Sequence, residues 1–377
     1  MSMPVASSIP AAEREQNGRQ RMFFIDNLRV WLTALVILHH LAITFGRSGP
    51  WYYLVPNSPE AATLGSLVFL LINQAYFMGL FFGVSAYFTP GSVDRKGVGQ
   101  FIRDRALRLG VPLVLFVFVL GPVAALHGQL VTTGHYTFAD YLSSIGFGPL
   151  WFVEVLIIFT AIYLAVRRGR PAPSPWDQTL RGRSVIIFGV GLVLTTYLFR
   201  FILPLSSPVP YLEIASGYEI PQYAAFFVVG ILAYRRGWLR NLPSRFGIVG
   251  GIVAVGATIV LSPVLITGVE QATQRGTWQS AVYALWEQTF AIGCCLALLV
   301  FFRRFVNRQG PIAAELARSA FPAYVVHAPV ITWLAVAMAP LGLNAVLGFV
   351  VAAVLGIPLT FAVAAGVRRL PGLRHVF

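Results

Sequence analysis

The sequence predicts an all-α protein: a polytopic membrane helical bundle of about ten transmembrane helices, with both chain ends in the cytoplasm. Three observations lead there. First, 57% of the 377 residues are hydrophobic and 11% are charged, with a mean hydropathy of +0.72. A water-soluble core cannot hide that much apolar surface, whereas a bilayer accepts it. Second, the apolar residues form long continuous runs. A backbone in hydrocarbon must satisfy its own hydrogen bonds, so only helices and closed barrels span a membrane, and barrel strands alternate apolar with polar residues. Third, the basic residues are sorted to one side of those runs.

Runs of roughly 17–25 apolar residues, the length that spans a bilayer as a helix, occur at 24–46, 62–89, 109–127, 149–166, 184–204, 219–234, 246–267, 279–302, 319–339 and 343–366. No A-x-A cleavage site closes the first, so it reads as a retained helix and not a signal peptide. The polar head, 1–20, is expected to be a disordered cytoplasmic segment. Residues 21–367 form one membrane domain, and 368–377 a cytoplasmic tail. "RRGRPAPSPWDQTLRGR", 167–183, reads as a Pro- and Arg-rich loop. Internal repeats, low-complexity tracts and a separate soluble domain are not evident.

The net charge of +14 could suggest nucleic acid, but its distribution argues for topology. With the N-terminus inside and each run reversing direction, cytoplasmic segments hold 24 of the 28 Lys and Arg residues. Outer loops hold Arg47 and Arg275, and Arg29 and Arg200 fall within spans. That asymmetry is the positive-inside pattern, so no nucleic-acid partner is expected. Cys294 and Cys295 are adjacent in mid-span, point about 100° apart on a helix, and read as packing residues. No zinc-ligand pattern is present, and no metal is expected.

The first span, "FIDNLRVWLTALVILHH", carries Arg29, His39 and His40. Arg29 and His40 are eleven residues apart, close to three turns, so they share a face ~16 Å apart along the axis. His39 points about 100° away. Taken singly, Arg29 reads as a snorkelling anchor, and a lone histidine as a core residue bonded to a carbonyl. Intramembrane ionisable groups are costly and usually line a cavity or pathway, and together these two make a polar stripe running inward from the cytoplasm. Neutral imidazole is a general base near physiological pH, and guanidinium binds phosphate bidentately. A phosphate-bearing donor held at Arg29 would present its reactive end to His40, where exclusion of water protects an ester from hydrolysis. Asp26, on the same helix, is a further candidate.

Beyond the second span, "DRKGVGQFIRDRALRLGVPL" (94–113) places Arg105 and Arg108 on one helical face, with Arg103 beside them. They read either as the positive-inside cluster or as a phosphate clamp. Glu154, in "GPLWFVEVLIIF", lies toward the outer end of the fourth span and needs a partner or a wet cavity. It could pair with Arg200, orient a histidine or contact an acceptor. Glu287, in "LWEQTF", falls near an outer end, within reach of solvent. His327, in "SAFPAYVVHAPVI", lies between Pro322 and Pro329, which free backbone groups. It either satisfies one of those groups or joins the site. "NQAYFMGLFFGVSAYF" (73–88) has the small and aromatic residues of helix packing, and Asn73, Gln74 and Tyr76 could line a polar cavity.

These pieces, in this order, resemble the acyltransferase-3 family of integral membrane acyltransferases over about residues 22–366. The Arg-x10-His pattern of the first helix matches Arg29 and His40. "FFGVSAYF" echoes the family's second span, with Ala86 where a glycine often stands. Arg105 and Arg108 match its R-x-x-R stretch, and "PLWFVE" its "LWF" with a following acidic residue. "SAFPAYVVH" matches its late pattern ending in histidine, at His327. The resemblance implies transfer of an acyl group, usually acetyl, from cytoplasmic acyl-CoA to a hydroxyl of an envelope glycan or another acceptor reached from the outer side of the cytoplasmic (inner) membrane. His40 would be the base, Arg29 its partner on the donor path, and Arg105 and Arg108, with Arg103, the phosphate contacts. "NLRVWLTALVILHH" and "PQYAAFFVVGILAYRRGWL" resemble a subgroup of glucan-modifying succinyltransferases, which makes succinyl the other acyl candidate. The chain has no residues to spare for the extracytoplasmic esterase-like domain of some members, so transfer is expected to finish in the membrane domain or pass to a separate protein. The competing reading is a transporter of a glycan or lipid precursor, against which stands the lack of an inverted repeat with corresponding broken helices.

Overall fold

Helices account for all the secondary structure that the computed structural model describes, over residues 22–56, 58–167, 178–203 and 217–377. The head and most of the 167–183 loop lie outside the described residues. In chain order the helices are α1 (Phe23–Gly46), α2 (Glu60–Gln74), α3 (Phe77–Tyr87), α4 (Thr89–Lys96), α5 (Val98–Arg105), α6 (Val111–Leu115), α7 (Gly121–Thr133), α8 (Phe138–Ser143), α9 (Trp151–Arg167), α10 (Gly182–Phe199), α11 (Ile220–Arg235), α12 (Ser244–Thr267), α13 (Val269–Ala272), α14 (Trp278–Phe305), α15 (Pro311–Met338) and α16 (Ala345–Arg369). Among the described residues, nine helical stretches are long and apolar enough to cross a membrane. Three of them are built from several helices: α2 to α4, α5 to α7, and α8 with α9. In the second of these, π-turns at Ala106–Gly110 and Phe116–Leu120 stand just before Pro112 and Pro122, so the backbone bends at the points where a proline has no N–H to give.

The remaining expected span, 219–234, is α11. It has 16 residues, which at 1.5 Å per residue reach about 24 Å, less than the roughly 30 Å of hydrocarbon. Its N-cap is Glu219, which is fully buried, so the helix starts inside the bundle.

One end of the bundle is tied by a belt of polar contacts. Asp94, at the end of the second span, bonds Arg167 at 2.5 Å and Arg235 at 2.7 Å, gathering the ends of α4, α9 and α11. Asn27, in the first turns of α1, donates to the carbonyls of Val306 (2.7 Å) and Arg308 (3.0 Å), just past α14. Arg303 donates to the carbonyl of Arg240 at 3.2 Å. Glu315, early in α15, pairs with Arg318 at 2.8 Å and with Arg368 at the end of α16. The belt therefore brings together the starts of spans one and nine and the ends of spans two, four, six, eight and ten. That grouping is the alternation inferred from the arginine distribution, and it puts the start of α1 and the end of α16 at the basic face.

Packing within the bundle relies on small residues, because lipid gives helices no hydrophobic reason to associate. α12 and α14 cross at Gly250 and Gly293, where a Cβ on Gly250 would lie 2.8 Å from the carbonyl oxygen of Gly293. That neighbour is backbone and cannot rotate away. Gly250→Val is expected to lower stability by about 1–3 kcal/mol through overpacking, read as an earlier thermal unfolding of the detergent-solubilised protein. A melting curve that matched wild type would show that the crossing can open without cost.

Candidate active site

His40 sits three-quarters of the way along α1 and His327 at the middle of α15. The two helices approach closely because the α15 face between them is small: Ala320 and Ala323 are buried against Ile37 and Leu41 of α1. Across that contact His327 Nε2 lies 3.2 Å from His40 Nδ1. His327 Nδ1 lies 2.6 Å from the carbonyl oxygen of Tyr324, and His40 Nδ1 lies 2.9 Å from that of Val36.

These contacts assign the tautomers. A carbonyl only accepts, so His327 carries its proton on Nδ1, and Nε2 of the neutral ring is a bare acceptor. His40 Nδ1 faces two acceptors, the Val36 carbonyl and His327 Nε2, so it too carries the proton. The lone pair of His40 is thereby left on Nε2, the nitrogen a base would use. His327 thus bonds the carbonyl of Tyr324, not that of Arg318 or Val325, the two that Pro322 and Pro329 leave without an i−4 donor, and its other nitrogen faces His40.

The loop after α1 roofs the pair. Val55 N–H donates to Thr44 O at 2.9 Å, Arg47 Nη1 to Val55 O at 3.2 Å and Ser58 Oγ to Phe45 O at 2.5 Å. Folded back in this way, the loop lays the Trp51 indole on the His40 ring, with centroids 4.1 Å apart and planes 23° apart. His39 accepts from Asn73 Nδ2 at 3.2 Å and stacks on Phe77. Although it points away from His40 on the helix, it lines the same cavity, which is broad enough to reach both.

That cavity, about 700 Å³, lies in the half of the bundle away from the basic face. Besides both histidines, its walls include Trp51, Tyr52, Gln74, Trp151, Tyr218, Glu219, Tyr283, Glu287 and Tyr324. Its polar end is a buried network. Gln74 Nε2 donates to Glu219 at 2.7 Å, Tyr223 donates its hydroxyl to the same carboxylate, and Arg200 pairs with Glu287 at 2.7 Å. Arg200 also donates to the Ser280 carbonyl at 3.1 Å. Two sequence expectations change here. Glu287 is 1% exposed, not solvated, and it is Glu287, not Glu154, that pairs with Arg200. α10 ends beside the start of α14, so the arginine meets the acid on α14. Glu154 is half-buried in the first turn of α9 and lines neither this cavity nor the next.

A second cavity, about 560 Å³, opens at the basic end. Arg29, Arg95, Lys96, Arg105, Arg108, Arg318 and Arg368 line it, with Asp26 and Asp104 as its carboxylates. Arg105 donates to Thr89 Oγ1 at 3.1 Å. Among the described residues Arg29 and Arg108 make no ion pair, so their guanidinium groups are available to an anion. Arg103 is exposed and off the cavity wall. It is two residues from Arg105, about 200° around the helix. The stripe read from the sequence is thus divided: Arg29 lines one cavity and His40 the other.

Trp51, Glu219 and Tyr324 were not singled out from the sequence. Glu219 carried a usable signal, an acid in an apolar run, the same that marked Glu154. Trp51 lies in a loop with no periodicity to read.

A membrane-embedded bundle with a histidine pair beside one cavity and arginines lining another suits an integral membrane acyltransferase. The chain belongs to that class: the acyltransferase domain of the acyltransferase-3 family matches residues 22–369. It is similar to glucans biosynthesis protein C of Salmonella schwarzengrund (strain CVM19633) and of Salmonella typhi. Each is 22% identical over 390 residues, covering 98% of this chain and 96% of the relative. No solved structure matches it.

Removing one partner from a buried ion pair leaves an uncompensated charge and costs about 3–5 kcal/mol. Glu287→Ala is therefore expected to destabilise the protein strongly, and Arg200→Met added to it to recover part of the loss. Thermal unfolding of the single and double variants checks this. A double variant no more stable than the single would show that the charge of Arg200 is not what the loss exposes.

Proposed function

We propose that this acyltransferase moves an acyl group, acetyl or succinyl, from acyl-CoA bound at the cytoplasmic face of the inner membrane to a hydroxyl of a carbohydrate acceptor in the outer cavity. The observation that carries the reading is the His40–His327 pair, with the lone pair of His40 on Nε2, in a cavity opposite the arginine-lined one. The aromatic walls of the outer cavity suit the faces of a sugar ring, and its buried carboxylates suit sugar hydroxyls. The likeness to glucans biosynthesis proteins points to the same class of acceptor.

In this reading the CoA phosphates lie against Arg29, Arg105 and Arg108, which bind them bidentately. His40 Nε2 takes the proton of the acceptor hydroxyl as its oxygen attacks the thioester carbonyl. The new C–O bond leaves a tetrahedral oxyanion. Its collapse breaks the C–S bond, and the imidazolium returns the proton to the departing sulfur. His327 Nε2 accepts from His40 Nδ1–H throughout, holding the ring and stabilising its positive charge between the two proton transfers. This is the part that an orienting carboxylate plays in a hydrolytic triad.

The test uses membrane vesicles with the cytoplasmic side outward, acyl-labelled acetyl-CoA and succinyl-CoA supplied outside, and label followed into luminal glycan. Wild type is expected to transfer label from one of the two donors. His40→Ala should insert normally and lose about 10²–10⁴-fold in rate, the usual contribution of a general base. Label that failed to cross from either donor with wild type would refute the reading. Arg29→Lys keeps the charge but loses the planar fork, so KM for acyl-CoA should rise with little change in kcat. His327→Ala should do the reverse, lowering kcat at unchanged acyl-CoA KM, because His327 acts through His40 and touches no donor phosphate. A matching rise in KM would place it on the donor path instead.

A further inference from the structure

The two cavities share one lining residue among the described residues, Tyr324. It is 5% exposed. Its hydroxyl donates to the carbonyl of Pro149, in the short 3-10 turn Gly148–Leu150 that leads into α9, and both Gly148 and Pro149 line the outer cavity. On the other side, Phe81 and Phe152 line the basic cavity, and their rings stand 6.5 Å and 6.0 Å from that of Tyr324. The phenol is thus the side chain that both cavities touch, latched at its tip by a single hydrogen bond.

We propose that Tyr324 is a movable septum between the donor and acceptor cavities. This rests on the two-sided reading above, in which a donor anchored at Arg29 must bring its acyl group to His40, about 16 Å away along α1 at 1.5 Å per residue. With Tyr324 latched to Pro149, that path is closed. Release of the hydroxyl and a rotamer change, with the backbone unmoved, join the cavities. The septum is also tied to the catalytic pair: its carbonyl accepts from His327 Nδ1, and its ring lies 5.7 Å from the His327 ring, nearly parallel. A closed septum keeps outer water from the thioester until the donor arm fills the gap, so Tyr324 positions the meeting of the substrates without reacting itself.

The test requires no acyl-CoA. In a background with Cys294 and Cys295 replaced by alanine, Leu71→Cys supplies one thiol on the outer cavity wall. Vesicles oriented cytoplasmic side out are treated with a membrane-impermeant, anionic methanethiosulfonate, which the basic cavity attracts. Tyr324→Ala, which removes the wall, is expected to raise the labelling rate by at least about tenfold. Tyr324→Phe keeps the ring and its packing but loses the latch, and should raise it about fivefold, the population shift one hydrogen bond supports. Labelling from the outer side, measured in vesicles of the opposite orientation, should be the same in all three. Cytoplasmic labelling unchanged in both variants would overturn the proposal, as would equal rises from both sides, which would mark a loosened bundle. Since labelling is independent of catalysis, a failed septum with intact acyl transfer, and an intact septum without acyl transfer, are separately visible.

Discussion

Everything at this site depends on placing two imidazoles in contact inside an apolar bundle without placing a charge there. His40 and His327 meet this constraint as a neutral pair, one ring donating from Nδ1 and the other accepting at Nε2. A carboxylate in the place of His327 would orient His40 equally well, but it would add a buried anion at the centre of the membrane, where ionised groups are expensive. The contact also fixes the helices around it. α1 and α15 must approach through Ala320 and Ala323, and the loop after α1 must fold back to cover the rings with Trp51. Tyr324 must present its carbonyl inward so that His327 keeps its proton on Nδ1.

Charge is correspondingly confined to the ends of the bundle. At the basic end, ionised groups line an open cavity or join the belt made by Asp94, Glu315 and Asn27, where pairing is shared among several helix ends. Toward the other end, Arg200 and Glu287 are nearly inaccessible, and each is tolerable only because the other is present. Between these zones His40 and His327 bond each other and backbone carbonyls as neutral rings, and Tyr324 donates to the Pro149 carbonyl.

The spans were legible because hydropathy measures what lipid demands of each residue, and the alternation of their ends because the arginines gather on one side of them. Arg29 and His40 were legible because helical spacing is a local property of one segment. What was not legible lies between segments. Nothing in the run around His40 names His327, 287 residues away, as its neighbour, and the partner of Arg200 could not be chosen between Glu154 and Glu287 without knowing which helices touch. The place of Arg103 off the cavity wall is of a different kind, since its turn of about 200° from Arg105 follows from helical spacing alone. α11 shows the limit of hydropathy as a criterion: the run read as a full span is a helix of sixteen residues that starts inside the bundle, where Gln74 and Tyr223 hold Glu219.

The division into two cavities gives the eleven-residue spacing on α1 a physical meaning within the proposed reaction. The charged part of coenzyme A, its phosphates, can remain among the arginines at the membrane surface. Only the arm, its thioester and the acyl group need enter the bundle, uncharged for acetyl and with one carboxylate for succinyl, so no phosphate is desolvated beyond the reach of a guanidinium. The acceptor arrives from the other side as a neutral hydroxyl, and its proton is moved to a neutral ring. Charge is then created only in the tetrahedral intermediate and its paired imidazolium, side by side, where a low-dielectric site stabilises them most strongly through their mutual attraction. A continuous channel from Arg29 to His40 would fill with water and weaken that attraction. The septum and the spacing therefore serve one requirement: the chemistry proceeds where water is scarce, while the ionic anchor of the donor stays where water is plentiful.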